Sequence, residues 1–247
     1  MRYLVIADVH ANLEALDACI ADAKSRGFDR TLVLGDLVGY GPDPNEVIAR
    51  VQSLDPLAMV RGNHDKVACG LEQPEGFNAV AKRAALWTYD VLTPANRAWL
   101  AAMPLGPSIV DERVEICHGS PFDEDAYIFD ELDAVRALKT SRRPLCLFGH
   151  SHSPVTYELS DERVETIDGA EAAAATLRLL DGSKYLLNPG SVGQPRDGDP
   201  RAAYAIVDTT VNAVELYRVD YSVGETQAKV VKAGLPDVLA QRLAVGR

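Results

Sequence analysis

Five short apolar runs in this chain each give way, on their carboxyl side, to a side chain that can hold a metal ion or move a proton. Tyr3–Ala7 is followed by Asp8 and His10, Thr31–Leu34 by Gly35-Asp36, and Leu57–Val60 by Arg61-Gly62-Asn63-His64-Asp65. Val114–Cys117 is followed by His118, and Leu145–Phe148 by Gly149-His150-Ser151-His152. The chain has 5 histidines in 247 residues, and all of them stand at these positions. Read as buried strands, the runs bring their carboxyl ends to one rim, the place where open α/β sheets bind ligands.

Between the runs the spacing is helical. Leu13–Ser25 has apolar residues at Leu13, Leu16, Ile20 and Ala23 and ends at Gly27; Asn45–Val51 follows Pro44. Phe77–Leu92, a helix opened by Thr93-Pro94 and running to Met103, and Leu132–Lys139 complete this part. After Ser153 hairpin-like strands take over. Thr176–Leu180 and Lys184–Leu187 flank Asp181-Gly182, and Ala202–Val207 and Ala213–Val219 flank a polar turn. Glu171–Ala175 fits a helical turn or a loop, and the tail reads as helix broken at Gly234-Pro236. An α/β part followed by a mostly antiparallel part predicts two packed sheets with helices outside. With no repeat, linker or composition break, residues 1–247 are expected to form one domain, and a helical lid over 66–110 is one reading of the stretch after Asp65.

Composition excludes several classes. With 25 Lys+Arg against 36 Asp+Glu, the net charge is −11, and no basic patch offers itself to a nucleic-acid backbone. The longest apolar runs, Ala98–Met103 and Ala202–Val207, fall far short of the ~18 residues of a membrane span. Asp8 and His10 interrupt the one apolar stretch near the start, so no secretory signal is expected there. Cys19, Cys69, Cys117 and Cys146 show no C-x-x-C spacing and read as reduced, packed residues of a cytoplasmic protein.

The chemistry of the five strand ends is that of a metal site. Asp8-x-His10 and His150-x-His152 are i, i+2 pairs, which project from one face if the backbone is extended and can grip one ion or two neighbours. Two carboxylates (Asp8, Asp36), the amide of Asn63 and four imidazoles (His10, His118, His150, His152) form a mixed N/O set that suits Mn²⁺, Fe, Zn²⁺ or Ni²⁺ better than Ca²⁺. Two dications against two carboxylates and a hydroxide leave a pocket of about +1, fit for a phosphate anion inside an acidic protein. Gly35, Gly62 and Gly149 precede proposed ligands, where a missing Cβ lets the chain turn and a ligand approach.

In this order the residues resemble the calcineurin-like metallophosphoesterase superfamily, whose pattern is D-x-H, G-D, G-N-H-[DE], H, G-H-x-H. Here it reads Asp8-Val9-His10, Gly35-Asp36, Gly62-Asn63-His64-Asp65, His118 and Gly149-His150-Ser151-His152; Asn188-Pro189-Gly190-Ser191-Val192 resembles a motif of small prokaryotic members. The resemblance implies a four-layer α/β/β/α double β-sandwich flanked by helices. It implies one metal on Asp8, His10, Asp36 and His152 and a second on Asp36, Asn63, His118 and His150, with Asp36 shared. It further implies hydrolysis by a bridging hydroxide, with His64 stabilising the transition state or protonating the leaving oxygen. Manganese is the first expectation, with Fe, Zn, Ni or Mg as alternatives. The protein-phosphatase branch has G-D-x-x-D-R-G, whereas Gly39 and Tyr40 stand here at the second Asp and the Arg. A small soluble phosphorylated substrate, preferentially a diester, is therefore expected over a phosphoprotein; a nucleotide or protein phosphatase and a non-catalytic metal-binding scaffold are the alternatives. A homo-oligomer is compatible with this reading.

Around the motifs the readings divide. Asp65 either bonds nearby amides or orients His64. Asn12 is the N-cap of the first helix or a contact to substrate phosphate, which that helix N-terminus would favour. Arg196, with Arg201 beside Asp197-Gly198-Asp199-Pro200, belongs to a polar turn or grips phosphate. Tyr40 is a packed ring or a wall of the substrate site. Trp87, Trp99 and Phe77 read as core, as do Cys117 and Cys146.

Overall fold

Alternation along the first strand sets the layers. In β1 (Arg2–Ile6), Tyr3 and Val5 pack with Val114, Leu145 and Leu147 of the other sheet, while Leu4 and Ile6 pack with Leu16 and Ile20 of the first helix. A strand apolar on both faces must be covered on both, and here one cover is a sheet and the other a helix. The computed structural model describes residues 1–167 and 174–247.

After β1 come α1 (Leu13–Arg26), β2 (Arg30–Val33), α2 (Pro44–Gln52), β3 (Ala58–Met59) and α3 (Asn63–Cys69). A 3-10 turn at Pro74–Gly76 leads to α4 (Ala79–Val91), α5 (Pro94–Ala101), β4 (Ser108–Ile109), β5 (Val114–Ile116), α6 (Glu131–Thr140) and β6 (Leu145–Leu147). Then follow β7 (Val155–Ser160), β8 (Arg163–Ile167), β9 (Ala174–Arg178), β10 (Lys184–Asn188), β11 (Ala202–Asp208), β12 (Ala213–Val219), α7 (Val223–Lys232) and α8 (Asp237–Leu243). Helix starts follow their caps: Asn12, Asn78, Thr93 and Asp130 each accept from amides of the first turn.

Two six-stranded sheets result, ordered β3-β2-β1-β11-β12-β9 and β4-β5-β6-β10-β7-β8. They face each other across Val5, Leu32, Leu34, Ile116, Leu147, Leu187 and Val207. Helices α1 and α2 cover the first sheet, and α6 covers the second over Cys146, Phe148, Tyr157 and Leu186. This is the α/β double sandwich expected from the resemblance. Strands β1, β2 and β3 run parallel, as do β5, β6 and β10, so the five motif-bearing strands end on the same rim of the sandwich.

Both parts of the chain contribute to each sheet: β11, β12 and β9 complete the first, and β10, β7 and β8 the second. Asp181-Gly182 closes no hairpin, because β9 pairs with β12 while β10 lies between β6 and β7. The local turn signal is the same for a hairpin and for a crossing between sheets; the fully buried Tyr185, Leu186 and Leu187 draw β10 to the centre of its sheet. Most of Glu171–Ala175 lies outside the described residues, its last two positions opening β9. The stretch 66–110 is largely helical, and α3 within it had no signal of its own in the apolar pattern.

Candidate metal centre

Three of the five motifs leave their strands through a backbone turn that few residues adopt. Asp8, His10, Asp36, His150 and His152 have φ of 52°, 47°, 52°, 69° and 59°, in the left-handed region. Such conformations cost of order 1–3 kcal/mol each and persist where the surroundings hold them, typically at functional sites. The i, i+2 pairs are thus not extended, which corrects the expected backbone, and His150 and His152 go one to each of two clusters, as the resemblance implies. Gly62 is obligatory, since a Cβ there would collide with the Asp36 carboxylate.

The first cluster is Asp8, His10, Asp36 and His152; the second is Asp36, His118 and His150, each with ligand atoms within 4.8 Å of one another and every residue buried. Asp36 belongs to both. Its Oδ2 lies 3.5 Å from His10 Nε2 and 3.5 Å from His118 Nε2 and has no hydrogen-bond partner, while Oδ1 accepts from the His64 amide at 2.9 Å. Asn63 Oδ1 is buried without a partner too.

The imidazoles supply the test of whether cations fit here. His10 Nδ1 lies 3.1 Å from the Val38 carbonyl and His152 Nδ1 2.7 Å from that of Gln194, so each carries its proton there. Their Nε2 atoms then face each other at 3.0 Å as two lone pairs. In the second cluster His118 Nδ1 meets the Leu34 carbonyl at 2.8 Å and His150 Nε2 that of Asp125 at 3.1 Å, leaving His118 Nε2 and His150 Nδ1 3.1 Å apart. Nitrogens this close beside an orphaned carboxylate oxygen need a proton or a metal cation among them. The residues present fit two.

Electrostatics agree. Burial pushes the Asp8 carboxyl up to about 7, further than nearby His118 can pull it down. Burial drives His10 and His152 well below the ordinary imidazole range and His150 down to about 3. His118 is the exception: burial lowers it, but Asp36 and Asp8 outweigh that and push it up to about 10. Asp36, also disfavoured by burial, is held well below the carboxylate range by His118 and His64. Without cations a proton on His118 stands beside Asp36 where a metal charge would.

His64 projects from the first turn of α3. Its ring lies 4.3 Å from Tyr40, 4.5 Å from Phe77 and 4.9 Å from His10, and burial holds it down at about 4. Its Nδ1 is buried without a partner against Gly39, where a Cβ would strike the ring. Among the described residues no carboxylate backs this histidine; aromatic packing holds it. Asp65 bonds the Gly62 and Val38 amides at 3.0 and 3.2 Å, so it braces the loops. Asn12 accepts from Ala15 N and Thr226 Oγ1 and donates to the Gly193 carbonyl and Tyr221 hydroxyl. These four bonds engage its amide fully and make Asn12 the cap of α1.

Arg196 reaches Tyr40 Oη at 3.5 Å and Gln194 Oε1 at 3.3 Å and, among the described residues, has no carboxylate partner. Arg201 is bound to Asp199, as a turn residue would be. Trp87 and Trp99 pack on apolar clusters; Phe77 does so too, but also lines a cleft of about 260 Å³ with His64, Asn63, Tyr40, Tyr127 and His150. The loop 188–193 links the halves of the site. Asn188 Nδ2 donates to the Gly149 carbonyl and Ser151 Oγ at 2.7 and 3.0 Å, and Ser191 Oγ to the Asp8 carbonyl at 2.8 Å. The carbonyls of Val38, Leu34, Gln194 and Asp125 had no sequence signal, since a backbone group has no residue identity.

The profile of the calcineurin-like phosphoesterase superfamily domain matches residues 1–212. The chain belongs to that superfamily. Two clusters sharing Asp36 are the active-site arrangement of its dinuclear-metal phosphoesterases. A metallophosphoesterase from Sphaerobacter thermophilus is 38% identical, with a TM-score of 0.87 over 100% of this chain and 99% of that one. An uncharacterized protein of Methanocaldococcus jannaschii is 38% identical over 98% of this chain and 97% of its own. A hypothetical protein of Pyrococcus horikoshii, 19% identical over 100% of this chain and 98% of its own, shares the fold with a TM-score of 0.81.

Proposed function

We propose that this calcineurin-like phosphoesterase hydrolyses a small phosphorylated metabolite, a diester in preference to a monoester, with two divalent cations, manganese first, in the cytoplasm. The observation that carries the reading is the two close imidazole pairs, His10 Nε2 with His152 Nε2 at 3.0 Å and His118 Nε2 with His150 Nδ1 at 3.1 Å, on either side of the unpartnered Asp36 Oδ2. Asp8, His10, Asp36 and His152 would hold one cation, and Asp36, Asn63, His118 and His150 the other. Bound there, the cations supply a nucleophile at neutral pH and offset charge on the phosphate oxygens.

The chain's own groups do the rest. The carbonyls of Val38, Gln194, Leu34 and Asp125 fix the protons of the four imidazoles on the outer nitrogens, so the inner ones stay free for ligation. His64, neutral at pH 7, has Nδ1 closed off against Gly39 and offers Nε2 as donor to an oxygen of the phosphate or the leaving group. Arg196 is free to pair with phosphate. With Gly39 and Tyr40 in place of a carboxylate and a guanidinium, the site has fewer charges for a dianionic monoester, which supports the diester preference.

The test is hydrolysis of bis-p-nitrophenyl phosphate and p-nitrophenyl phosphate after Mn²⁺ loading, beside elemental analysis of the loaded protein. Two ions per chain and faster release from the diester are expected. No turnover of either ester with any divalent metal would leave a metal-binding scaffold instead.

A further inference from the structure

Lys66 lies one turn after Asn63 on α3, and its side chain is nearly buried, 6% exposed. A buried charge is costly unless it is fully paired. The three N–H bonds of this ammonium have three carboxylates to meet: Asp125 at 2.6 Å, Glu72 at 2.9 Å and Glu124 at 3.1 Å. Arg61, just before the Gly62-Asn63-His64-Asp65 motif, closes a fork on Glu124 at 3.0 and 3.1 Å. Two cationic side chains, one on each flank of that motif, thus hold the loop that follows His118.

This loop is closed on itself. The Gly119 amide donates to the Glu124 carbonyl at 3.0 Å, and Ser120 bonds Asp123 through both its amide and its hydroxyl. What its side chains hold therefore sets where its carbonyls lie. The Asp125 carboxylate is on Lys66, while the Asp125 carbonyl accepts from His150 Nε2 at 3.1 Å, the bond that turns His150 Nδ1 toward His118. Lys66 joins Asn63 and His150 in this way, one through the helix they share and the other through Asp125. In the first cluster His10 and His152 lean on the Val38 and Gln194 carbonyls instead.

We propose that Lys66 is a positioning residue for the second cation, fixing Asn63 and the His150 ring relative to each other through Asp125 while the first cation keeps its own supports. This rests on the assignment of Asn63 and His150 to one ion. Charge and positioning predict opposite signs here. Removing an ammonium close to a cation site would, through charge alone, tighten cation binding. Removing the support of a ligating histidine weakens it, typically ~10–100-fold.

Mn²⁺ titration of the chelated protein, by calorimetry with elemental analysis, tests the proposal. The wild type is expected to take two ions. Lys66→Met, close to lysine in length but uncharged, should keep the first ion at wild-type affinity and bind the second ~10–100-fold more weakly. At sub-saturating Mn²⁺ its paramagnetic resonance spectrum should then show isolated ions where the wild type shows a spin-coupled pair. Hydrolysis of bis-p-nitrophenyl phosphate by the variant should recover as Mn²⁺ is raised. Lys66→Gln, which also removes the charge but keeps a polar end for the carboxylates, should behave alike and carries the test if the methionine variant does not fold. Arg2→Met breaks the pairs of Arg2 with Asp208 and Glu215 at the opposite end of β1; it should lower the melting temperature and leave both ions in place. Two ions held as tightly as in the wild type or more tightly, equal weakening of both, or the same weakening in Arg2→Met overturns the positioning role and leaves the phosphoesterase reading intact. A wild-type protein that binds fewer than two ions overturns the two-cation reading and this proposal with it.

Discussion

His64 shows how one side chain takes its role from what is missing beside it. A glycine at position 39 lets the ring lie where a carboxylate partner would otherwise sit, and Tyr40 and Phe77 hold it by their faces. Replacing it by alanine should lower kcat for bis-p-nitrophenyl phosphate ~10²–10⁴-fold. The Mn²⁺ content of that variant, measured by elemental analysis, should stay at two per chain; a variant that loses both ions would make His64 a support for the ligands. Gly62→Ala is expected to do the reverse. Its Cβ displaces the Asp36 carboxylate, so the variant should bind fewer than two ions and lose activity in proportion. At this scale the seven proposed ligands were legible because histidine is scarce and stands only at strand ends. The left-handed turns at Asp8, His10, Asp36, His150 and His152 were not, because the preference of Asp and His for positive φ is too weak to mark single positions.

At the scale of elements, the loop 188–193 does more than connect β10 to β11. It crosses from one sheet to the other and ties the Gly149–Ser151 turn to the Asp8 turn through Asn188 and Ser191. Asn188→Ala removes three hydrogen bonds, to the buried Gly149 carbonyl, the half-buried Ser151 hydroxyl and the Gly190 amide, and should cost about 1–3 kcal/mol in urea unfolding. Because those acceptors flank His150, its Mn²⁺ affinity should fall as well; unchanged affinity with lowered stability would confine the loop to a structural role. The element pattern itself was readable where a helix alternates with a strand, from β1 to α2, and at the β11–β12 hairpin. It failed at Asp181-Gly182, where the partner of each strand lies far away in sequence, and at α3, whose start is set by Gly62 and Asp65 rather than by apolar spacing.

For the molecule as a whole, the metal centre ties stability to pH. In the chelated protein Asp8 and Asp65 are raised to about 7 and His118 to about 10, all above their unfolded values. Groups raised in this way contribute stability that is present at low pH and lost as pH rises through 7 and then toward 10. His64 and His150, lowered to about 4 and about 3, act in the opposite sense and only below about 6.5. The melting temperature of chelated protein should therefore fall between pH 7 and pH 9. Mn²⁺ at about 100-fold excess over its Kd should raise it by ~5–10 °C, and by more at pH 9 than at pH 6, since ligation needs the protons gone. A metal-induced rise independent of pH would contradict the protonation states described above.

The order of ligand types along the chain, the scarcity of histidine and the alternation of strand and helix were enough to determine the family and, through the resemblance, to assign each imidazole to a cluster with Asp36 shared, because chain order and side-chain chemistry are written directly in residues. The carbonyls that hold each ring, the sheet each late strand joins and the cleft beside the site were decided only when distant segments met. These depend on backbone groups and long-range pairings, and neither has a local signature.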